Sequence, residues 1–173
     1  SVYSHLLSAP TGKSGHDKID MLFGHADADG HIDLMVTVGE HDKYDAALGV
    51  IEDAGRTFLI LGPLDGLPEI SQFDELAETT IDGRNDEQDL GGYGRTFTDV
   101  NGDGLDDPVL GARTHSYLFY SPLPSGALTS ADANAEFPDL KEARDVGDLN
   151  GDGRADLVLS YYKDYIFYGQ PTE

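Results

Sequence analysis

The 173-residue chain has no cysteine and no tryptophan, and 11 Lys and Arg stand against 33 Asp and Glu. Without cysteine there is no disulfide, no thiolate metal site and no thiol nucleophile, and the redox compartment stays open. A net charge of −22 excludes a basic footprint for nucleic acid and disfavours anionic membrane surfaces. No apolar run approaches the ~18 residues of a membrane span. No charged stretch followed by an apolar one opens the chain, so no signal peptide is expected in it. Helical periodicity is nowhere sustained over three turns; Phe73–Ala77 suits a single turn. What is present suits a folded domain, or part of one. The apolar share is 39%, and 21 glycines bring it to the usual range of globular proteins. Nine Tyr and seven Phe fall in short regular runs, which argues against disorder.

The acids are grouped, and the groups repeat. Asp99-Val-Asn-Gly-Asp-Gly-Leu-Asp-Asp107 and Asp148-Leu-Asn-Gly-Asp-Gly-Arg-Ala-Asp156 place oxygen side chains at loop positions 1, 3, 5 and 9, with Gly at 4 and 6. His25-Ala-Asp-Ala-Asp-Gly-His-Ile-Asp33 is a degraded third copy. An apolar strand follows each loop, at Leu34–Val38, Pro108–Ala112 and Leu157–Leu159. A second follows at Phe58–Leu61, Tyr117–Tyr120 and Tyr165–Tyr168, ending in Gly62-Pro63, Ser121-Pro122 and Gly169-Gln-Pro171. Val2–Leu7 resembles one more copy of that second strand. Gly30, Gly104 and Gly153 are 74 and 49 residues apart, a spacing of about 60 that points to repeated units. The longer first interval is assigned to an acidic loop, Gln72–Gly92. Short strands punctuated by Gly, Pro, Asn and Asp predict an all-β repeat fold, and radial stacking of four-stranded units would make β-propeller blades. The approximate units are 1–62, 63–121 and 122–173 within a single domain.

Calcium is a hard cation that takes six to eight oxygens. A curling loop aims the side chains at positions 1, 3 and 5 at one point, and Gly at 6 permits a sharp turn. The predicted ligands are Asp99, Asn101, Asp103 and Asp107 with the Leu105 carbonyl, and Asp148, Asn150, Asp152 and Asp156 with the Arg154 carbonyl. Asp106, at position 8, points away. Asp-Gly and Asn-Gly are also ordinary hairpin turns, but two loops alike at every chelating and turning position favour the metal. In the first copy His25 replaces the leading Asp, and imidazole is a poor calcium ligand. Asp27, Asp29 and Asp33 are weak metal candidates there, and a plain acidic hairpin is the simpler reading. An EF-hand would need an acid at position 12, where Leu110 and Leu159 stand, and flanking helices.

These residues resemble the FG-GAP repeats of integrin-α-type β-propellers and the related bacterial VCBS-type repeats. In the middle unit Tyr93-Gly94 stands for the Phe-Gly and Gly111-Ala112-Arg113 for the Gly-Ala-Pro; the third unit has Glu142-Ala143 and Ser160-Tyr161 at those places. Phe23-Gly24 lies too close to its loop to be equivalent. The resemblance implies about three blades of four antiparallel strands, with calcium held between the first and second. Family rings have more blades, so the chain is expected to be part of a larger propeller or to assemble with further copies.

The function expected is a non-catalytic calcium-binding module that offers a binding, adhesion or structural surface to a protein or carbohydrate ligand. The alternative is an accessory or catalytic domain of a secreted polysaccharide lyase or hydrolase. No Gly-x-Ser-x-Gly elbow and no His-Glu-x-x-His helix occurs. Tyr117, Tyr120, Tyr161, Tyr162, Tyr165 and Tyr168 offer either a ligand surface or packing between sheets. Extracellular calcium sites are weak enough to be empty at cytosolic calcium, so a secreted, periplasmic or cell-surface location is expected.

Overall fold

Runs of four to six residues rich in Val, Ile, Leu, Phe and Thr become strands in the computed structural model, which describes residues 6–8, 19–65, 70–86 and 88–172. The chain begins with β1 (Leu6–Ser8). A first antiparallel meander follows: β2 (Ile19–Gly24), β3 (Asp33–Val38), β6 (Arg56–Ile60) and β8 (Thr79–Asp82). A hairpin of β4 (Lys43–Asp45) and β5 (Gly49–Ile51) is inserted between β3 and β6. The second meander is β9 (Arg95–Thr98), β10 (Asp107–Gly111), β11 (His115–Leu118) and β13 (Ala135–Pro138). The third is β14 (Glu142–Asp145), β15 (Leu157–Ser160) and β16 (Asp164–Phe167). The protein is all-β, with several antiparallel sheets and none closed. The unit boundaries drawn at 62/63 and 121/122 fall between the third and fourth strands of a meander.

Two short parallel pairings run between units, one joining the second meander to the first and the other joining the first to β1. Before its fourth strand the second meander sends out β12 (Gly126–Thr129), which pairs in parallel with β8 of the first. A 3₁₀ turn, Ser130–Asp132, follows β12. In the same place the first meander sends out β7 (Ile70–Gln72), followed by α1 (Phe73–Leu76), the single turn that the sequence predicts. β7 pairs in parallel with β1. By that equivalence β1 holds the position of a fourth strand, not of the Phe58-type third strand that Val2–Leu7 resembles; Val2–His5 lie outside the described residues.

Period-two alternation divides each strand between two cores. Met35, Leu59, Phe97 and Leu110 pack together between the first and second sheets. Val36, Val38, Phe58 and Ile60 lie on the other face of the first sheet, against Phe73 of α1. Val109 and Leu118 face the third sheet, where they meet Ala143, Leu157 and Leu159. Successive leading strands approach one another, β2 with β9 and β9 with β14. That approach explains two motif glycines. A Cβ on Gly94 would lie 2.2 Å from the Ala143 nitrogen, and one on Gly111 2.0 Å from the Lys141 carbonyl.

The long first interval has two causes, and the predicted acidic loop is the smaller one. Between the second and third strands the first meander has 17 residues (39–55) and the second has three (112–114). The β4–β5 hairpin therefore supplies most of the excess, and the stretch after β8 supplies the rest.

Candidate functional site

Each acidic loop joins the first strand of a meander to the second, so all three lie at the same end of the sheets. They also touch in sequence. The position-8 amide of Asp106 donates to the carbonyl of His25 at 2.6 Å, and the amide of Ala155 to that of Asp99 at 2.9 Å. Position 8 of one loop thus holds position 1 of the preceding loop. The Asp106 carboxylate, as its position predicts, turns away from its own loop and accepts the His25 amide at 2.7 Å.

The two intact loops have the same internal hydrogen bonds. Asp99 accepts from the amides of Gly102, Asp103 and Gly104; Asp148 accepts from Gly151, Asp152 and Gly153. Four backbone N–H groups, that of Gly153 first and then those of Gly151, Asp152 and Asn150, hold the Asp148 carboxyl below the usual range. Asn101 and Asn150 each accept the amide two residues on, at 2.9 Å, and each donates its own amide to the next Asp. Asp103 accepts from Leu105 and Asp152 from Arg154. These nested turns hold Asp99, Asn101 and Asp103, and Asp148, Asn150 and Asp152, in one repeated arrangement of oxygen side chains, the donor type that a hard divalent cation takes. The Arg154 side chain lies over its own loop, with its guanidinium 3.0 Å from Asp152.

Position 9 does more than the sequence reading assigned to it. Asp107 accepts from the Val100 amide at 3.0 Å and from Ser121 at 2.9 Å. Asp156 accepts from Leu149 at 2.8 Å and Gly169 at 3.0 Å; Asp33 accepts from Ala26 at 2.5 Å and Gly62 at 2.8 Å. All three carboxylates are fully buried. Each clamps position 2 of its loop to the turn after the third strand, the Gly62, Ser121 and Gly169 turns. The repeated turns were the signal for this role; their distance from the acids, 13 to 29 residues, concealed it. Burial, reinforced by the neighbouring Asp103 and Asp99 carboxylates, pushes Asp107 up to about 7 against the pull of its two donors. A buried carboxylate beside two others fits a site that a cation would neutralise.

The degraded loop keeps the frame with different chemistry. Asp27 accepts from Asp29 and Asp29 from His31, as in the intact loops. His25 Nδ1 lies 2.7 Å from the His31 carbonyl, so the imidazole joins position 1 to position 7. Asp27, Asp29 and Asp33 offer oxygens all within 4.8 Å of one another, and among the described residues no other three acidic or histidine side chains come that close. The loop ranked last by sequence is thus the one whose carboxylates converge. Its acids sit at positions 3, 5 and 9, whereas the intact loops have acids at 1, 5 and 9 and turn position 1 onto backbone amides.

The tyrosines divide between the two roles offered. Tyr117 is buried and Tyr120 half-buried between sheets, while Tyr161, Tyr162, Tyr165 and Tyr168 are exposed on the third sheet. Among the described residues no helix is long and apolar enough to cross a membrane. No family model and no curated protein matches the chain.

Proposed function

We propose that the chain is a non-catalytic, calcium-binding segment of a β-propeller, each meander a blade, serving as a binding or adhesion surface outside the cytosol. The observation that carries this reading is the hydrogen-bond frame common to three loops, each set between the first and second strands of a meander and each tied to the next. Asp99, Asn101, Asp103 and Asp107 with the Leu105 carbonyl, and the matching set from Asp148 to Asp156, would hold Ca²⁺. The Asp27, Asp29 and Asp33 group is the third candidate, its position-7 carbonyl already engaged by His25. A bound divalent ion would neutralise carboxylates held close together and lock each loop. Exposed apolar side chains at the two outer sheets support a ring completed by neighbouring blades of the same parent protein or by further copies. Ile19, Met21 and Phe23 share one face of β2, and Ile166 lies on the face of β16 turned away from the second sheet. Open edges of this kind are ones that natural proteins cover.

Calorimetric titration tests the reading. The chain is expected to take up about two Ca²⁺, Asp99→Ala and Asp148→Ala to lose one each, and Asp106→Ala to lose none. Three ions, with one lost in Asp27→Ala, would add the first loop. Stoichiometry unchanged in Asp99→Ala and Asp148→Ala would overturn the ligand assignment. At a hundredfold excess over Kd each site adds about 2.7 kcal/mol to stability, so EDTA should lower the melting temperature markedly.

A further inference from the structure

At the end of the sheets opposite the acidic loops, the stretch after β8 meets the turn between β10 and β11. Between them lies a cavity of about 340 Å³. No aliphatic side chain lines it among the described residues. Its floor is fixed by buried Gln88, whose Nε2 donates to the Tyr117 hydroxyl and to Ser130 Oγ, both at 3.0 Å. The Gln88 side-chain oxygen accepts the Arg84 amide at 2.6 Å, and its carbonyl accepts the Arg113 amide at 2.9 Å. Arg84 Nε is held on Ser130 Oγ at 3.1 Å. On the far wall Thr114 Oγ1 lies 2.7 Å from His115 Nδ1, and His115 Nε2 lies 3.3 Å from Glu136. Gln88, Arg84 Nε, Thr114 and His115 are therefore fixed in place before any ligand arrives.

Among the described residues the lining balances two guanidiniums, Arg84 and Arg113, against two carboxylates, Asp86 and Glu136. An anion would meet the carboxylates and a cation the guanidiniums. A neutral ligand whose groups both donate and accept suits both, and adjacent hydroxyls do so. Next to the polar cavity a second one, of about 480 Å³, shares Arg84, Asn85 and Asp86 and adds Leu48, Val50 and Ile51. Leu48 is 73% and Val50 52% exposed, an apolar shelf at the mouth of the polar cavity. A sugar ring has both surfaces, hydroxyls at its edge and C–H groups on its face. We infer that this cleft binds a neutral saccharide, with its hydroxyls among Arg84, Asn85, Asp86 and Thr114 and a ring face on Leu48 and Val50. The inference rests on reading the chain as a binding module and not on its calcium.

The test is an array of gluco-, manno-, galacto- and xylo-oligosaccharides, with uronic-acid and sulfated glycans and acidic peptides alongside, probed with the labelled full chain in calcium buffer. The strongest ligand is then titrated into the wild type and the double variant Asn85→Ala/Thr114→Ala. Neither residue donates or accepts a side-chain bond that spans the sheets, so the melting temperature should not change. A neutral oligosaccharide is expected to bind, and the double variant to bind it at least about tenfold more weakly, the loss of one or two hydrogen bonds. No binding to neutral glycans, binding confined to acidic glycans or peptides, or equal affinity in the double variant would overturn the inference. A chain that takes up calcium and binds no neutral glycan defeats this inference alone. A chain that binds the glycan and takes up no calcium defeats the calcium reading alone.

Discussion

At one end of the sheets three nine-residue loops share one hydrogen-bond frame; at the other, the connections 39–55 and 83–94 differ in length and sequence from each other and from the three-residue turns 112–114, 139–141 and 161–163. The charges divide in the same way. Of the nine described Lys and Arg, seven lie at the irregular end: Lys43, Arg56, Arg84, Arg95, Arg113, Lys141 and Lys163. The loop end is almost wholly acidic, with Arg154 as the cation on its loops. Its carboxylates satisfy backbone amides in a pattern that each unit can repeat, because every such partner lies in the same loop, in the adjoining loop or in the turn after the third strand of the same meander. At the irregular end acids pair with cations instead. Asp82 is held by Arg56 at 2.5 Å and by Lys43 at 3.5 Å, and Arg95 pairs with Asp20. Such pairs depend on one arrangement of insertions, and nothing in them repeats. One end suits a shared ligand in every unit; the other suits a single ligand in one place.

The largest effect that would sharpen this comparison is loss of a position-9 clamp. Asp107→Ala leaves the Val100 and Ser121 amides buried without an acceptor, and an unsatisfied buried donor costs about 1–3 kcal/mol. A loss of about 3 kcal/mol or more is expected by denaturant unfolding in EDTA, and a similar loss for Asp33→Ala. The agreement matters, because Asp33 serves a loop whose position 1 is histidine. If either variant lost stability only when calcium was present, the clamp would be a metal ligand and nothing more, and the three loops would not be alike.

A smaller loss is expected from Gly111→Ala, which tests the irregular end. The added methyl would sit 2.0 Å from the Lys141 carbonyl and 2.3 Å from that of Gly94. These are backbone atoms, so the second and third sheets must separate, and overpacking of this kind costs about 1–3 kcal/mol. Gly104→Ala is the control at the loop end. Its φ is +90° and nothing lies within 4 Å of an added Cβ, so its cost is strain in the turn alone. If Gly111→Ala were milder than Gly104→Ala, close sheet packing would not be the reason for glycine in that motif.

The loop end was legible because its signal is local. Nine consecutive residues carry the turn glycines, the oxygens and the start of the next strand, so Asp99–Asp107 and Asp148–Asp156 fall where the repeat places them. The all-β character and the strands after each loop were legible for the same reason. The β4–β5 hairpin was not, since Lys43–Ile51 has three-residue strands with half-exposed faces and no sustained alternation. Nor were the clamp partners Gly62, Ser121 and Gly169, or the cleft at Arg84 and Arg113. In each case the two halves of the contact come from different strands, and only the register of the sheets brings them together. The convergence of Asp27, Asp29 and Asp33 was hidden differently: the histidine at position 1 drew the ranking, while position 3 decides which acids meet.

The smallest effect expected concerns His41, between the first sheet and the inserted hairpin. It is 9% exposed, and its Nδ1 is buried with no hydrogen-bond partner. Burial, and then the Arg56 cation, holds its imidazole below the usual pKa, while Asp82, Asp74 and Asp42 pull weakly the other way. The folded chain therefore binds a proton here less readily than the unfolded chain does. As pH falls below about 6.5, the unfolded state takes up the proton first, so stability at this site is kept above that pH and lost below it. The loss should be small, against a background in which acid relieves the repulsion of a −22 chain. The difference between variant and wild type removes that background. His41→Asn should unfold in denaturant with a smaller drop between pH 7 and pH 5 than the wild type, in EDTA so that calcium release does not intrude. If His41→Asn lost as much stability between pH 7 and pH 5 as the wild type, the buried imidazole would not be a source of acid sensitivity, and the contrast between the two ends would fail at its weakest point.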